Sequence, residues 1–483
     1  MSQRNELKHG AVLHPLPLRL ASFDTMLLVM VLVLVGIVAA LMGVQSDTWW
    51  QLRTGQVILS TRTIPTVDIF SSTVRGAYWP NHEWLSLVLF YGLYRLGGLP
   101  ALFLGCAILV TLTWAGLAFL AEGPGRVRAA ALLLGMAGQS VIWSVRPHIF
   151  SFALLVVLLL MLSRPRLHWL YPGLFLVWAN LHAGVAFGGV ALVVATLAAV
   201  VEDVRTNTPG THWRTSQGLR WSLITLLSVL ATLLNPLGIG LWRYVLESFG
   251  DTTRTYLSEW QPPNLGWAAS YPFFVLVIVT VIAVITSWRS WRGQRDWTLL
   301  GLALLFGWLG FRSMRHTAFF MIVAVPLLTR PFRSWPVRAV RRHLQALIHG
   351  VLLAAVVVGG AVFVLTNWAS TPAAPLSPGL VEAVRRCPGT LYNTYDIGGP
   401  LIWQVPERPV FVDNRQDPYP ADLLFRAVLA EQQGAYRELF ATYNVQCAVV
   451  PITQPLYTAL QHDGWEEMYR DMHLAVLHHP AAQ

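Results

Sequence analysis

Between Ala21 and Thr366 the chain alternates long apolar runs with short polar connections. A helix that crosses a bilayer needs roughly 20 such residues in succession. The pattern predicts eleven spans, at 21–44, 99–121, 129–146, 148–163, 167–183, 184–203, 221–237, 271–288, 297–311, 313–330 and 344–366, several of them short or abutting. The first is interrupted only by Asp24 and is too long and too poorly terminated for a cleaved signal peptide, so it reads as a retained anchor.

Three regions break this rhythm. The stretch 45–98 is predicted to hold an interfacial helix from Asp47 to Ile58, a Pro65 turn, and a second helix from about Glu83 to Leu96. Gly97, Gly98 and Pro100 end that second helix, which is too short to cross and is placed at the interface or half-inserted. The stretch 248–270, with Asp251, Arg254, Tyr256, Glu259, Trp260 and Pro262–Pro263, is predicted to be a loop. After a Pro, Ser and Ala linker at 367–378 the periodicity becomes that of a small α/β domain, 379–483. Its expected strands run from Thr390 to Asn393, Pro409 to Val412, Gln446 to Val450 and Leu474 to Leu477. Its expected helices run from Ala421 to Gln433, Ala435 to Tyr443 and Pro455 to Gln461. Gly398–Gly399 lacks the other glycines of a dinucleotide fingerprint and reads as a turn.

Composition agrees with a polytopic α-helical membrane protein: 55% of residues are apolar and 12% charged. The formal charge of +10 comes from arginines that fill every second connection: Arg126 and Arg128, Arg164 and Arg166, Arg205 to Arg220, Arg289 to Arg295, and Arg330 to Arg342. Together with Arg4, Lys8 and Arg19 ahead of the first span, they place the N-terminal segment 1–20 inside and the C-terminal domain outside a bacterial cytoplasmic membrane. Arginines confined to such connections, without an aromatic or glycine pattern, exclude a nucleic-acid partner. Cys387 and Cys447 are free to pair in an oxidising outer space, though nothing in the sequence forces it.

With that orientation Asp47, His82, Glu83, Arg146, His148, Asn180, His182, Asn235, Glu259, Arg315 and His316 all fall at the outer end. Trp49–Trp50 beside Asp47 fit an aromatic belt, and Asn81 is placed to cap the helix that follows Glu83. Arg146-Pro147-His148 and Arg315-His316 sit between spans on the side where arginine is disfavoured, and an arginine at hydrocarbon depth must be paired or line a polar cavity. Guanidiniums suit phosphate, a carboxylate suits proton abstraction, and the acids with His82 or His148 could instead hold a divalent metal.

This layout resembles the C-type (GT-C) superfamily of polytopic membrane glycosyltransferases: a first helix ending near Asp47, a large first outer loop at 45–98, many further spans and an outer C-terminal domain. Asp47-Thr-Trp-Trp-Gln-Leu-Arg-Thr-Gly, Ile64-Pro-Thr-Val-Asp-Ile-Phe-Ser, Trp79-Pro-Asn-His-Glu-Trp-Leu, Arg146-Pro-His and Phe411-Val-Asp-Asn-Arg resemble stretches of a broad group of bacterial membrane proteins with that layout. The resemblance implies transfer of a sugar from a polyprenyl-phosphate donor to a glycan, lipid or protein acceptor. It implies Asp47 as general base, with Asp68 or Glu83 as second acid, and Arg146 and Arg315 on the lipid phosphate. His82 joins the catalytic candidates, His148 and His316 the phosphate site, and Asp68, Asn180, His182, Asn235 and Glu259 the substrate-binding set. It implies no particular metal. Two other readings remain open: a transporter or flippase of an anionic lipid, and a non-catalytic assembly or binding protein whose working surface is Phe411 to Tyr419. Asp413 and Arg415 there are expected to pair and hold a loop.

Overall fold

The computed structural model describes residues 22–205, 216–250, 258–291, 293–336, 343–371 and 375–480. The segment 1–20 with Arg4, Lys8 and Arg19, and the loop residues Asp251, Arg254 and Tyr256, lie outside the described residues.

Each of the eleven predicted spans contains a helix: Phe23–Ala40, Trp84–Leu120, Gly125–Gln139, His148–Leu162, Tyr171–Leu181, Val185–Arg205, Gln217–Ala231, Tyr271–Ser287, Gly293–Arg312, Met314–Thr329 and His343–Ser370. By length and composition Phe23–Ala40, Trp84–Leu120, Val185–Arg205, Ala268–Ser290 and Leu347–Ala369 are sufficient to cross a bilayer. The glycines at 97–98 do break the run 84–120, since Gly98 takes φ 65° and the backbone leaves the helical region there. The last helix continues to Ser370, four residues into the expected linker.

Met314–Thr329 is the hub. From His316 to Thr329 every residue is buried, the signature of a helix packed on all sides. Gln139 ties it to a neighbour: its Oε1 accepts from the indoles of Trp114 and Trp143, and its Nε2 donates to the Ala318 carbonyl. By contrast His343–Ser370 packs on Phe23–Ala40 and leaves Leu347, Val351, Val358 and Leu365 exposed, as a lipid-facing helix would.

The two ends of the bundle differ chemically. At one, Asp24 pairs with Arg126 at 3.5 Å, and Arg330, itself buried, reaches Asp296 at 2.5 Å and Glu122 at 3.5 Å. This is the arginine-rich end anticipated from the connections. At the other end stand Asp47, the first outer loop and the C-terminal domain.

That domain holds a four-stranded sheet in the order β1-β2-β4-β3, from β1 (Thr390–Asn393), β2 (Val445–Pro451), β3 (Glu466–Arg470) and β4 (Leu474–His478). β1 and β2 are parallel and the other pairs antiparallel. Cys387 and Cys447 form a disulfide. Helices Ala421–Gln433, Arg437–Thr442 and Pro455–His462 match expectation, and Pro378–Arg386, started by the Ser377 cap, is additional.

Two expectations fail here for one reason. Pro409 to Val412 does not join the sheet: Val410 bridges Ser71, donating to the Phe70 carbonyl at 3.0 Å and accepting from the Ser72 amide at 2.8 Å. Gly398–Gly399 is not a turn but lies inside the helix Tyr395–Gln404. A Cβ on Gly399 would collide with the Ser46 carbonyl, and one on Gly398 with the Val412 carbonyl, so the glycines admit close approach between segments. The partners of Val410 and Gly399, at Phe70 to Ser72 and at Ser46, lie in the region between residues 46 and 73, while Gly398 packs on Val412 of the same segment as Val410. One hydrophobic cluster accordingly joins Trp50, Trp79 and Leu87 to Leu380, Leu401, Val410 and Val449.

Candidate active site

The helix Ser46–Thr61 begins where the first span ends and carries Asp47 in its first turn. Trp49 and Trp50, expected in an aromatic belt, are 4% and 7% exposed and pack inward, Trp49 toward Trp403 and Trp50 toward Trp79. The Trp50 indole donates to Asp47 Oδ1 at 3.1 Å, which fixes the carboxylate.

Arg146 is the next component. The helix expected to run to 146 stops at Gln139, and after a short 3-10 turn the chain leaves the helix at Trp143 and bends through 145–147 until His148 opens the following helix. Arg146 therefore projects from a connection, where its Nε meets Asp47 Oδ2 at 3.0 Å and its Nη1 meets Glu259 Oε2 at 3.0 Å. Glu259 Oε1 in turn accepts from Arg315 at 3.0 Å, in the first turn of the hub helix. The Glu259 turn is fastened to that helix by Ser313 Oγ and the Met314 amide, which donate to the Glu259 and Gln261 carbonyls. Arg315 also lies over the Trp260 ring. The result is a chain of alternating charge, Asp47–Arg146–Glu259–Arg315, drawn from four separate segments.

A second group adjoins it. Glu83 stands at the N-cap of Trp84–Leu120, where its side chain makes no capping bond; Asn81, expected to cap, does not occupy that position. Instead Glu83 Oε1 faces His82 Nε2 at 3.4 Å and His182 Nε2 at 3.7 Å. The Gly184 amide donates to His182 Nδ1, which leaves the proton on Nε2, toward Glu83. His82 Nδ1 donates to the Pro80 carbonyl and its ring stacks on Tyr244, whose hydroxyl donates to Asp417.

Charge follows from these contacts. Burial raises the Asp47 carboxyl above its ordinary value, opposed by Arg146 and the Trp50 hydrogen bond. For Glu83 burial acts upward too, but the His82 hydrogen bond and the His82, His182 and Arg146 charges outweigh it and bring it to about 2. Burial disfavours charge on His82, yet Glu83 more than compensates and the imidazole is raised. Glu259 is likewise held at about 2: burial is overcome by Arg315 and Arg146.

All these groups line one cavity of about 360 Å³. Of the candidates, Asp47, His82, Glu83, Arg146, His148, His182, Glu259, Arg315 and His316 line it. Three others do not. Asn180 accepts from the Trp84 indole and donates to the Leu176 and Leu234 carbonyls, a clamp between helices. Asn235 bonds within its own turn, to Thr232 and Leu237. Asp68 is buried against Arg415 at 2.5 Å and Ser71 at 2.6 Å. Arg415 does pair with Asp413, at 2.6–2.8 Å, but Asp68 makes the pair a clasp between the first loop and the C-terminal domain.

The stretch Phe411 to Tyr419, expected only as the working surface of a non-catalytic protein, forms much of the roof of the cavity, whereas Tyr395, Asp396, Gln51 and Tyr244 went unforeseen. Tyr395, Asp396, Asn414, Arg415, Gln416 and Asp417 come from the C-terminal domain, Gln51 from the Asp47 helix, and Tyr244 from the helix Gly240–Gly250. The amphipathic Leu241-Trp-Arg-Tyr-Val-Leu-Glu run could have revealed that helix. Nothing local marks Asp396, whose carbonyl accepts from Ser46, 350 residues away in the chain.

No protein-family model matches the chain, and no curated protein matches it by sequence. Solved structures do match. The archaeal oligosaccharyltransferase AglB from Archaeoglobus fulgidus, in complex with an inhibitory peptide and a dolichol-phosphate, superposes with TM-score 0.52 at 12% identity, over 89% of this chain and 70% of that one. ArnT from Cupriavidus metallidurans, bound to undecaprenyl phosphate, superposes with TM-score 0.51 at 15% identity, over 93% and 97%. Both are GT-C glycosyltransferases, and at these identities what this chain shares with them is their fold. The chain therefore has the GT-C fold.

Proposed function

We propose that the protein is a glycosyltransferase that moves a sugar from a polyprenyl-phosphate donor to a hydroxyl-bearing acceptor at the outer face of the bacterial cytoplasmic membrane. The observation that carries this is the Asp47–Arg146–Glu259–Arg315 chain at one end of the bundle, which puts a proton acceptor beside two guanidiniums inside a cavity. Two solved structures of the same fold hold polyprenyl phosphates, dolichol-phosphate in one and undecaprenyl phosphate in the other.

In this reading the acceptor oxygen attacks the anomeric carbon, the bond from that carbon to the phosphate oxygen breaks, and the hydroxyl proton passes to Asp47. The departing phosphate gains charge that Arg146 and Arg315 are placed to neutralise. Its oxygens take over the bonds that Glu259 makes to both arginines, since a carboxylate bridging two guanidiniums presents the same acceptor geometry. His148 and His316 lie in the same wall. A divalent metal fits poorly: Asp47 and Glu259 are both engaged by Arg146, and among the described residues no three His, Cys, Asp or Glu side chains converge as ligands. No step is routed through one.

A transporter of the same lipid would carry its polar groups at mid-membrane on broken helices. Here they gather at a single end. The arginine pattern and the Cys387–Cys447 disulfide favour an outward-facing cavity. Reporter tags after Arg128 and Pro378 should accordingly read inside and outside; the reverse would refute the orientation.

The direct test is turnover of polyprenyl-phosphate sugars by purified protein. Asp47→Asn should cut transfer by about 10²–10⁴-fold, the usual contribution of a positioned base, while lipid-phosphate binding persists. Unchanged transfer would remove Asp47 from the mechanism.

A further inference from the structure

The first turn of the helix Tyr395–Gln404 builds part of the cavity roof. Tyr395 and Asp396 line the cavity, the Asp396 carbonyl accepts from Ser46 Oγ beside Asp47, and Asp396 Oδ1 accepts from Asn414 Nδ2 at 3.0 Å. The leading amides of a helix need partners from outside it. Thr394 stands at the cap position, yet its side chain makes no capping bond and its buried hydroxyl has no hydrogen-bond partner. The Tyr395 amide donates instead to Glu431 Oε1 at 2.9 Å, a carboxyl from the separate helix Ala421–Gln433.

That place is a poor one for a charge. The cations on the neighbouring helices are engaged elsewhere, Arg426 by Asp422 and Glu438, and Arg437 by Asp463. The groups that face Glu431 are Tyr392 from β1, Asp396 from the capped helix and Gln454 at the start of Pro455–His462, none of them a cation. Burial, with Asp396 adding to it, pushes the Glu431 carboxyl up to about 7 against the bonds from Tyr395 and Gln454. A neutral acid suits the site better. Its carbonyl oxygen keeps the Tyr395 amide, and its hydroxyl brings the donor that the buried, unpartnered Gln454 Oε1 lacks. We propose that Glu431 is a positioning residue of the cavity roof, a carboxylic acid that clamps the Tyr395 turn to Gln454 and releases it on ionising. A released Glu431 returns to the ordinary value of 4.5, below that of the clamped one, so rising pH favours release between these values and the clamp is firmest at the acid end. The roof is then held more firmly against Ser46 when the outer side is mildly acidic than when it is alkaline. This clamp is independent of what the cavity transfers.

The experiment is hydrogen exchange of the full-length protein in lipid nanodiscs, read at residues 395–404 and corrected for the intrinsic exchange rate at each pH. In the parent, protection there should fall about tenfold or more as pH rises from about 5 to about 8. Glu431→Gln, which keeps the accepting oxygen and cannot ionise, should show no such fall. Asp396→Asn removes the anion that disfavours ionisation of Glu431 and should move the midpoint of the fall to lower pH. A parent without the fall, or an equal fall in Glu431→Gln, overturns the clamp. An equal fall at β3 and β4 overturns it too, because the titration would then loosen the domain as a whole. If Glu431→Gln does not fold, the midpoint in Asp396→Asn decides, and one that stays at the parent's value rules the clamp out.

Discussion

Asp47 is held between two opposed influences, and their balance predicts how activity should depend on pH. Burial raises its carboxyl, while Arg146 at 3.0 Å and the Trp50 indole at 3.1 Å pull it back. The base must be ionised to accept a proton, so kcat/KM rises with pH through the Asp47 pKa, and the midpoint of this acid limb should lie above the ordinary 3.8. Arg146→Met removes the strongest lowering influence and should move the limb further up, while raising KM for the donor. A limb at or below 3.8 in the parent, or one that stays put in Arg146→Met, would show that another group is the base. Glu83 and Glu259, each held at about 2, are ionised throughout this range and do not contribute to the limb. His82, raised by Glu83, is the group that would shape the alkaline side.

At the scale of elements, the membrane part was largely legible and the contacts between parts were not. Apolar runs reported the spans because lipid contact imposes a composition on each helix separately. The same rule exposed Arg146 and Arg315 as exceptions, and both line the cavity. Asp68 reads from the sequence as a substrate-binding acid because its partner, Arg415, lies 347 residues away in the chain. The glycine pair in Tyr395–Gln404 failed for a related cause: read locally it signals a turn, whereas its meaning lies in the Ser46 carbonyl packed against it. Gly399→Ala should therefore destabilise the protein by about 1–3 kcal/mol, the usual cost of overpacking, although alanine is the better helix former. A denaturant midpoint at or above that of the parent would mean the helix can move away from Ser46 without penalty. The lost activity should exceed the lost stability, because Ser46 is the neighbour of Asp47.

Across the whole molecule the C-terminal domain is better described as part of the first loop than as an appended module. Shared main-chain bonds at Val410, the Thr73 bond to the Phe411 carbonyl, the Ser46 bond to Asn414 and a common hydrophobic cluster join them. The clasp is the most consequential of these, since the Arg415 guanidinium is enclosed by Asp68, Asp413 and the rings of Phe70, Trp79 and Tyr419. Both ends of its ion pairs are fully shielded from solvent, so removing the cation strands two carboxylates in a low-dielectric site. Arg415→Met should cost about 3–5 kcal/mol, whereas the triple replacement Arg415→Met, Asp68→Leu and Asp413→Leu, which strands no charge, should recover much of that stability. Hydrogen exchange would locate the effect. In Arg415→Met, protection should fall together in residues 66–79 and 409–419, and the helices that cross the membrane should keep theirs. Loss confined to the C-terminal segment would mean that the two regions fold separately and that the cavity roof is positioned by something other than the clasp.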